Sequence, residues 1–391
     1  MTSQLITGIK QLVTNTNIGD GLLGVVDDAA LVVDAGRVAW VGAASAAPSA
    51  DSVLDVAGRA VIPGFVDSHA HMVFAGDRAD EFAARMAGES YSAGGIRRTM
   101  TLTRAATDDE LRRQCARLVG EMHGSGITHL EIKSGYGLTA ADELRAIRIA
   151  REFTEDVTLL AAHVVPPEFE SDRSAYIDLV INEMLPEARG IARWVDVFCD
   201  RGAFSIEETQ ALFSAAEGFG LRLHGNQLER RETVSLLAEF DVASMDHCTH
   251  MIDADLEVLA SKNTVATLLP GAEFSTRSPY PDARRFYDAG ATVAIATDCN
   301  PGSSYTTSMP FSIAVAVRDM HFTVDQAVHA ATAGGAAALR RTDVGKLAVG
   351  SRADFVVLDA PSYIHLAYRP GVNLIHQTWR EGVRIFSKDS E

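Results

Sequence analysis

The chain has 391 residues, 47% of them hydrophobic, and a formal net charge of −17. It is too long for one small domain, too apolar for a disordered chain, and too acidic for non-specific nucleic-acid binding, which needs a basic surface. No apolar run approaches the roughly 20 residues that span a bilayer, and Met1-Thr2-Ser3-Gln4-Leu5 shows no basic segment followed by an apolar one, so neither a membrane span nor a secretory signal is expected. Cys115, Cys199, Cys248 and Cys299 form no CxxC pair, which fits a reduced, cytoplasmic setting.

Residues 1–62 read as short strands joined by turns. Ala30-Leu31-Val32-Val33-Asp34 and Arg37-Val38-Ala39-Trp40-Val41-Gly42 flank Ala35-Gly36, a tight hairpin signal. The far end has the same texture in 353–358, 372–375 and 382–386. Neither end alone has enough strands to bury a face, so the two are expected to fold together as one small β-sandwich, from 1–62 and 345–391.

Between them, over 63–344, strand-like and helical runs alternate. The expected strands are 61–69, 127–133, 158–164, 194–199, 221–224, 241–247, 264–269 and 291–297. Thr107-Asp108-Asp109-Glu110, Ser205-Ile206-Glu207-Glu208 and Thr323-Val324-Asp325-Gln326 are capping boxes that open helices. Alternating βα units imply a parallel sheet, and eight of them suit closure into a (β/α)8 barrel, which takes about 250 residues. The fold class expected is therefore α/β, a (β/α)8 barrel with a small β-sandwich built from both chain ends. A doubly wound open sheet is the competing architecture. Ser92-Ala93-Gly94-Gly95, in the long gap after the first strand, reads as a mobile loop over the barrel mouth.

Active sites of such barrels lie at the C-terminal ends of the strands. There the chain places His69-Ala70-His71, Lys133-Ser134-Gly135-Tyr136-Gly137, His163, Cys199-Asp200, His224-Gly225-Asn226-Gln227, Asp246-His247, and Thr297-Asp298-Cys299-Asn300-Pro301-Gly302. Strand alternation turns Asp67, His69 and His71 to one side, and two imidazoles at that spacing can hold one metal ion. Alone, the pair is equally compatible with two loop histidines; the further His and Asp residues at later strand ends favour the metal. By the same alternation Cys248 and Cys299, next to His247 and Asp298, turn away from the site. His123, His129, His250, His321, His329, His365 and His376 are read as structural, and Trp40, Trp194 and Trp379 as packing residues.

The order H-x-H, His, His, Asp resembles the amidohydrolase superfamily. Four stretches are similar to its imidazolonepropionase family: 69–78 (HAHMVFAGDR), 131–138 (EIKSGYGL), 162–169 (AHVVPPEF) and 296–302 (ATDCNPG). Carried over residue by residue, the resemblance implies one Zn2+ or Fe3+ held by His69, His71, His224 and Asp298. Cys199-Asp200 stands where binuclear relatives carry a lysine on strand four, so a single metal is expected. Such an ion lowers the pKa of water to about 7. His247 is implied as general base or oxyanion stabiliser, and Asp298 as the group that passes a proton to the leaving nitrogen. Arg78 and Tyr136 are implied to bind a propionate or ring carbonyl, His163 to hydrogen-bond an imidazolone ring, Gln227 to read its edge, and Asn300, Gly302 and Ser303 to line the pocket. Some relatives carry glutamate at the position of Gln227, and glutamine cannot take a proton there.

The implied reaction is hydrolysis of 4-imidazolone-5-propanoate to N-formimidoyl-L-glutamate by a cytoplasmic homodimer. Two rivals remain at this stage. A cytosine- or guanine-type deaminase would share the metal site without needing Arg78 and Tyr136. A catalytically inactive binding protein on the same fold would bind no metal.

Overall fold

The computed structural model describes residues 3–88 and 95–390. Five strands open the chain: β1 (Gln4–Val13), β2 (Val25–Asp34), β3 (Arg37–Ala43), β4 (Ser52–Asp55) and β5 (Val61–Pro63). Then follow β6 (Phe65–Asp67), β7 (Ile127–Lys133), β8 (Asp156–Ala162), β9 (Trp194–Cys199), β10 (Gly220–Gly225), β11 (Val242–His247), β12 (Val265–Leu268) and β13 (Val293–Ile295). The last three are β14 (Phe355–Leu358), β15 (Ile375–Arg380) and β16 (Val383–Ser387).

Strands β6 to β13 pair with their chain neighbours in order, every pair parallel. The ring is completed beyond the strand ends. There the Asp298 N–H donates to His69 O at 3.0 Å and the His71 N–H to Cys299 O at 3.0 Å, and Ala70 pairs with Cys299 in a parallel bridge. The expected barrel is therefore present. The capping boxes at Thr107, Ser205 and Thr323 form as the spacing predicts, opening helices Asp108–Gly124, Ile206–Ala215 and Val324–His329.

The two chain ends fold together, as expected of the small β-sandwich, and their strands form one eight-stranded mixed sheet in the order β16-β15-β14-β5-β1-β2-β3, with β4 also paired to β1. Its own core contains Ile6, Leu12, Leu31, Val33, Val61, Phe355 and Trp379. Ala35 and Gly36, both at positive φ, make the β2–β3 turn.

The first expected strand, 61–69, is in fact divided. Val61–Pro63 belongs to the end sheet and Phe65–Asp67 to the barrel. Gly64 is the joint between them. Its N–H donates to Asp354 O at 2.9 Å, and a Cβ there would stand 2.1 Å from Thr128 Oγ1, so only glycine fits. The third barrel strand begins at Asp156 rather than 158, and the eighth is confined to Val293–Ile295. Of the loop expected at 92–95, residues 92–94 lie outside the described residues.

Candidate active site

The seam between β6 and β13 builds the site. His69 and His71 follow β6, Asp298 follows β13, and His224 sits on β10. All four side chains are buried. His69 Nε2 lies 3.1 Å from His71 Nε2, and His71 Nε2 lies 3.4 Å from His224 Nε2. Asp298 Oδ1 lies 3.5 Å from His69 Nε2 and 3.6 Å from His71 Nε2. A tetrahedral ion with metal–nitrogen bonds of about 2.05 Å has ligand-to-ligand edges of roughly 3.3 Å. The three histidine nitrogens lie within 4.8 Å of one another, and Asp298 approaches the His69–His71 side of the group at close to that spacing.

Two of the three imidazoles are held in the tautomer this requires, while His71 Nδ1 has no hydrogen-bond partner among the described residues. His69 Nδ1 donates to Asp246 Oδ2 at 2.6 Å, and His224 Nδ1 donates to Asp196 Oδ1 at 3.0 Å. Each Nε2 therefore keeps its lone pair for the centre. Asp246 is the carboxylate behind His69, on the far edge of the ring, whereas Asp298 faces the Nε2 atoms. Burial pushes His69 and His71 well below the usual imidazole range and Asp298 well above the usual carboxylate range. Neutral imidazoles and a carboxyl short of a positive partner suit a cation.

Lys133 lies beneath, fully buried, donating to Glu131 Oε1 and Asp196 Oδ2, both at 2.8 Å. Arg222 Nη2 donates to Asp246 Oδ2 at 3.1 Å and to Ser68 O at 2.7 Å. The two cations are thus spent on the acids that orient the histidines. Of these groups, Asp196, Glu131 and Arg222 were not singled out in the sequence. Their signal is parity: they sit at inward positions of β7, β9 and β10, as His224 does.

Above this layer one cavity is lined by His71, Arg78, Tyr136, His163, His224, Gln227, His247, Asp298, Asn300 and Ser303. Residues spread across the chain thus converge on one space. His163 Nδ1 donates to Gly135 O at 2.9 Å, which leaves Nε2 as an acceptor. Burial, with His224 nearby, lowers His163 to about 3, so it is neutral. Tyr136 is carried on a loop shaped by Glu143, which accepts from the N–H groups of Gly135, Gly137 and Leu138 at 3.0, 2.8 and 2.8 Å. Glu143 reaches back from helix Ala140–Arg151, another group that sequence reading missed.

Arg78 is 4% exposed, not a solvated helix charge. Its Nε and Nη2 donate to Glu81 Oε2 at 2.9 and 2.6 Å. Gly302 does not line the cavity. It stands behind Arg78, where a Cβ would come within 2.3 Å of Nη1. The Asn300 amide is used within its own loop: Nδ2 donates to Asp298 O at 2.7 Å, and Oδ1 accepts from Gly302 N and Ser303 N at 2.8 Å each. Ser303 Oγ donates to Asp298 Oδ2 at 3.1 Å. Asn300 and Ser303 therefore shape the wall and Asp298 rather than offering free groups.

His247 closes the ring of histidines, its ring centroid 5.7 Å from that of His69 and 5.4 Å from that of His224. Its Nδ1 has no hydrogen-bond partner among the described residues, and burial pushes its pKa well below the usual range. His247 (φ 74), Cys248 (φ 55) and Asp298 (φ 52) all occupy the left-handed region. Backbone of that kind in non-glycine residues collects at functional sites. Cys248 and Cys299 turn away from the site as expected and are free and buried in the core.

The model of the amidohydrolase family matches residues 60–385. The imidazolonepropionase of Salinispora tropica is 60% identical over 387 residues, covering 98% of this chain and 99% of that protein. That of Streptomyces griseus subsp. griseus is 57% identical over 389 residues, covering 98% and 100%. Among solved structures, guanine deaminase from C. acetobutylicum, with bound guanine, superposes with a TM-score of 0.71 at 16% identity, covering 98% of this chain and 100% of that one. Atrazine chlorohydrolase from Arthrobacter aurescens, complexed with zinc, does so at 0.71 and 17%, covering 99% and 96%. These two share the fold alone. The family model and the curated relatives each span most of the chain: it belongs to the amidohydrolase family and, within it, to the imidazolonepropionases.

Proposed function

We propose that the protein hydrolyses the ring amide of 4-imidazolone-5-propanoate to N-formimidoyl-L-glutamate, using one Zn2+ or Fe3+ held by His69, His71, His224 and Asp298. The observation that carries this reading is the convergence of Arg78, Tyr136, His163 and Gln227 on the same cavity as His71, His224, His247 and Asp298. The metal would supply Lewis acidity, polarising the ring carbonyl and lowering the pKa of water to about 7.

The chain's own groups do the rest. Arg78, aimed by Glu81, pairs with the propionate through its planar fork, and Tyr136 adds a hydroxyl beside it. His163, neutral and with Nε2 free to accept, takes a hydrogen bond from a ring N–H. Gln227 reads the opposite edge through its carboxamide. His247 receives the proton of the attacking water, since it is neutral and its Nδ1 is unspent. Asp298, fixed through Oδ2 by Ser303, takes the second proton of that water and passes it to the leaving ring nitrogen, while His247 returns its own to solvent. The barrel wall and the side chains above it exclude bulk water, which strengthens each of these contacts.

The test is turnover of imidazolone propionate by purified, metal-analysed protein. Formation of N-formimidoyl-glutamate with one metal equivalent per chain is expected. Ammonia release from guanine or cytosine, with imidazolone propionate untouched, would replace this reading by a deaminase. A chain that takes up no metal on titration would replace it by a binding protein. No described helix is long and apolar enough to cross a membrane. A cytoplasmic homodimer completes the proposal; light scattering on the eluting protein tests the dimer, with a monomer mass as the contrary result.

A further inference from the structure

Glu273 is a buried carboxyl that the scheme above leaves unused. It lies on helix Pro270–Thr276, directly after β12, and is 2% exposed. Its Oε1 accepts from Thr249 Oγ1 at 2.7 Å. Its Oε2 is buried with no hydrogen-bond partner among the described residues.

Both oxygens connect it to the site. Thr249 follows His247 and Cys248, the two left-handed residues that present the His247 ring. Such a turn keeps its shape only where its surroundings hold it, and the Thr249–Glu273 bond is one of the holds. On the other side, Glu273 shares with Gln227, Thr249 and Ser278 a small pocket with room for about one water molecule. Gln227 also lines the substrate cavity. Gln227 thus borders both spaces.

We propose that Glu273 is a positioning residue that, as the neutral acid, holds the His247 turn through Thr249 and fixes which end of the Gln227 carboxamide faces the substrate. The proposal rests on the function argued above. Because Thr249 donates to Oε1, the acid proton resides on Oε2, toward the small pocket. It is donated across one water to Gln227 Oε1, which turns the Gln227 Nε2–H2 toward the cavity as a donor. Loss of that proton leaves an acceptor on Oε2. The bridging water then donates to Oε2 and accepts from the amide, which reverses and offers the substrate an acceptor where a donor stood. The titratable groups that face Glu273 are Asp298 beyond β13, Cys248 after β11 and Tyr280 in the following loop. None is a cation that would stabilise the ionised form, and burial places this carboxyl at about 7.

The experiment is steady-state kinetics from about pH 6 to about pH 8.5 on metal-loaded wild type, Glu273→Gln and Gln227→Met, with metal content measured for each. Wild-type KM should rise about tenfold across the range as the wrong end of the amide meets the substrate. In Glu273→Gln the new amide accepts from Thr249 and donates into the pocket, copying the acid at every pH, so KM should keep its acid-side value throughout. In Gln227→Met, KM should be high and lack the rise. A flat wild-type profile, or a rise that persists in Glu273→Gln, overturns the proposal. Should Glu273→Gln fail to fold, a rise that persists in Gln227→Met overturns it equally. Absence of turnover by metal-loaded wild type at every pH would overturn the proposed function instead.

Discussion

Gly302→Ala isolates the substrate-binding role proposed for Arg78. Gly302 is not in the left-handed region, so alanine meets no backbone penalty. Its Cβ, however, would stand 2.3 Å from Arg78 Nη1 and 3.0 Å from Cζ. Non-bonded heavy atoms rest at about 3.5 Å, so the guanidinium must retreat by roughly an ångström. The displacement pulls against the two bonds to Glu81, at 2.9 and 2.6 Å, and moves the guanidinium off its present position in the cavity wall. A charge-assisted hydrogen bond to a carboxylate contributes about 1.5–3 kcal/mol, or roughly 10- to 150-fold in binding. Because the propionate is remote from the bond that breaks, the loss should appear as a KM increase of that size with kcat nearly unchanged. Steady-state kinetics on imidazolone propionate reads it directly. Arg78→Lys should lose a similar amount, and combining the two should add little, because they remove the same contact. A KM within about twofold of wild type in Gly302→Ala would refute the placement of the carboxylate at Arg78.

Asp196→Asn should weaken zinc binding about 10- to 100-fold in chelator competition, because it disturbs the acceptor of His224 Nδ1 and faces Lys133 with an amide; unchanged affinity would remove Asp196 from the centre. His247→Asn should lower kcat about 100- to 10,000-fold while zinc stoichiometry stays at the wild-type value, and a parallel loss of metal would recast His247 as a ligand. Asp156 is buried, which alone would raise its pKa, but His129, Trp194 and Arg193 hold it at about 2 against an ordinary 3.8. A depressed carboxylate contributes stability above its unfolded pKa and loses it as pH falls through the folded one. Asp156→Asn should therefore cost about 2 kcal/mol at pH 7 in urea unfolding, with the deficit shrinking between about pH 4 and about pH 2. A deficit constant with pH would mean that packing, not charge, sets the value.

Much of this site was legible because its chemistry sits where the strands end. His69, His71, His224 and Asp298 announce themselves by residue type and by order along the chain. Gly64 gave no such notice: the apolar stretch around it is buried throughout, so hydrophobicity cannot mark the point where the backbone leaves one sheet for another. The acids behind the histidines were hidden for a related reason. Asp196 and Glu131 lie inside β9 and β7, where hydrophobic neighbours dominate the pattern, and only strand parity separates an inward carboxylate from an edge one. Glu143 and Glu273 act from helices. What each touches depends on how the helix returns against the barrel, which sequence spacing does not encode. Gly302 was expected to line the pocket, and its actual place behind Arg78 follows from an Asx-type loop tied by Asn300, a fold of the chain on itself.

The bond from Gly64 N–H to Asp354 O ties the start of the barrel to its last flank. β5 lies between β1 and β14, one residue before β6. On the ribosome, that edge of β5 therefore waits unpaired until β14, at Phe355–Leu358, has emerged. Val61, Ile62 and Pro63, all buried in the finished molecule, stay sticky for that whole interval. Clipping the tail before β14 would leave the same adhesive edge permanently, so even a truncation far from any reacting atom should yield aggregates rather than a weakened enzyme.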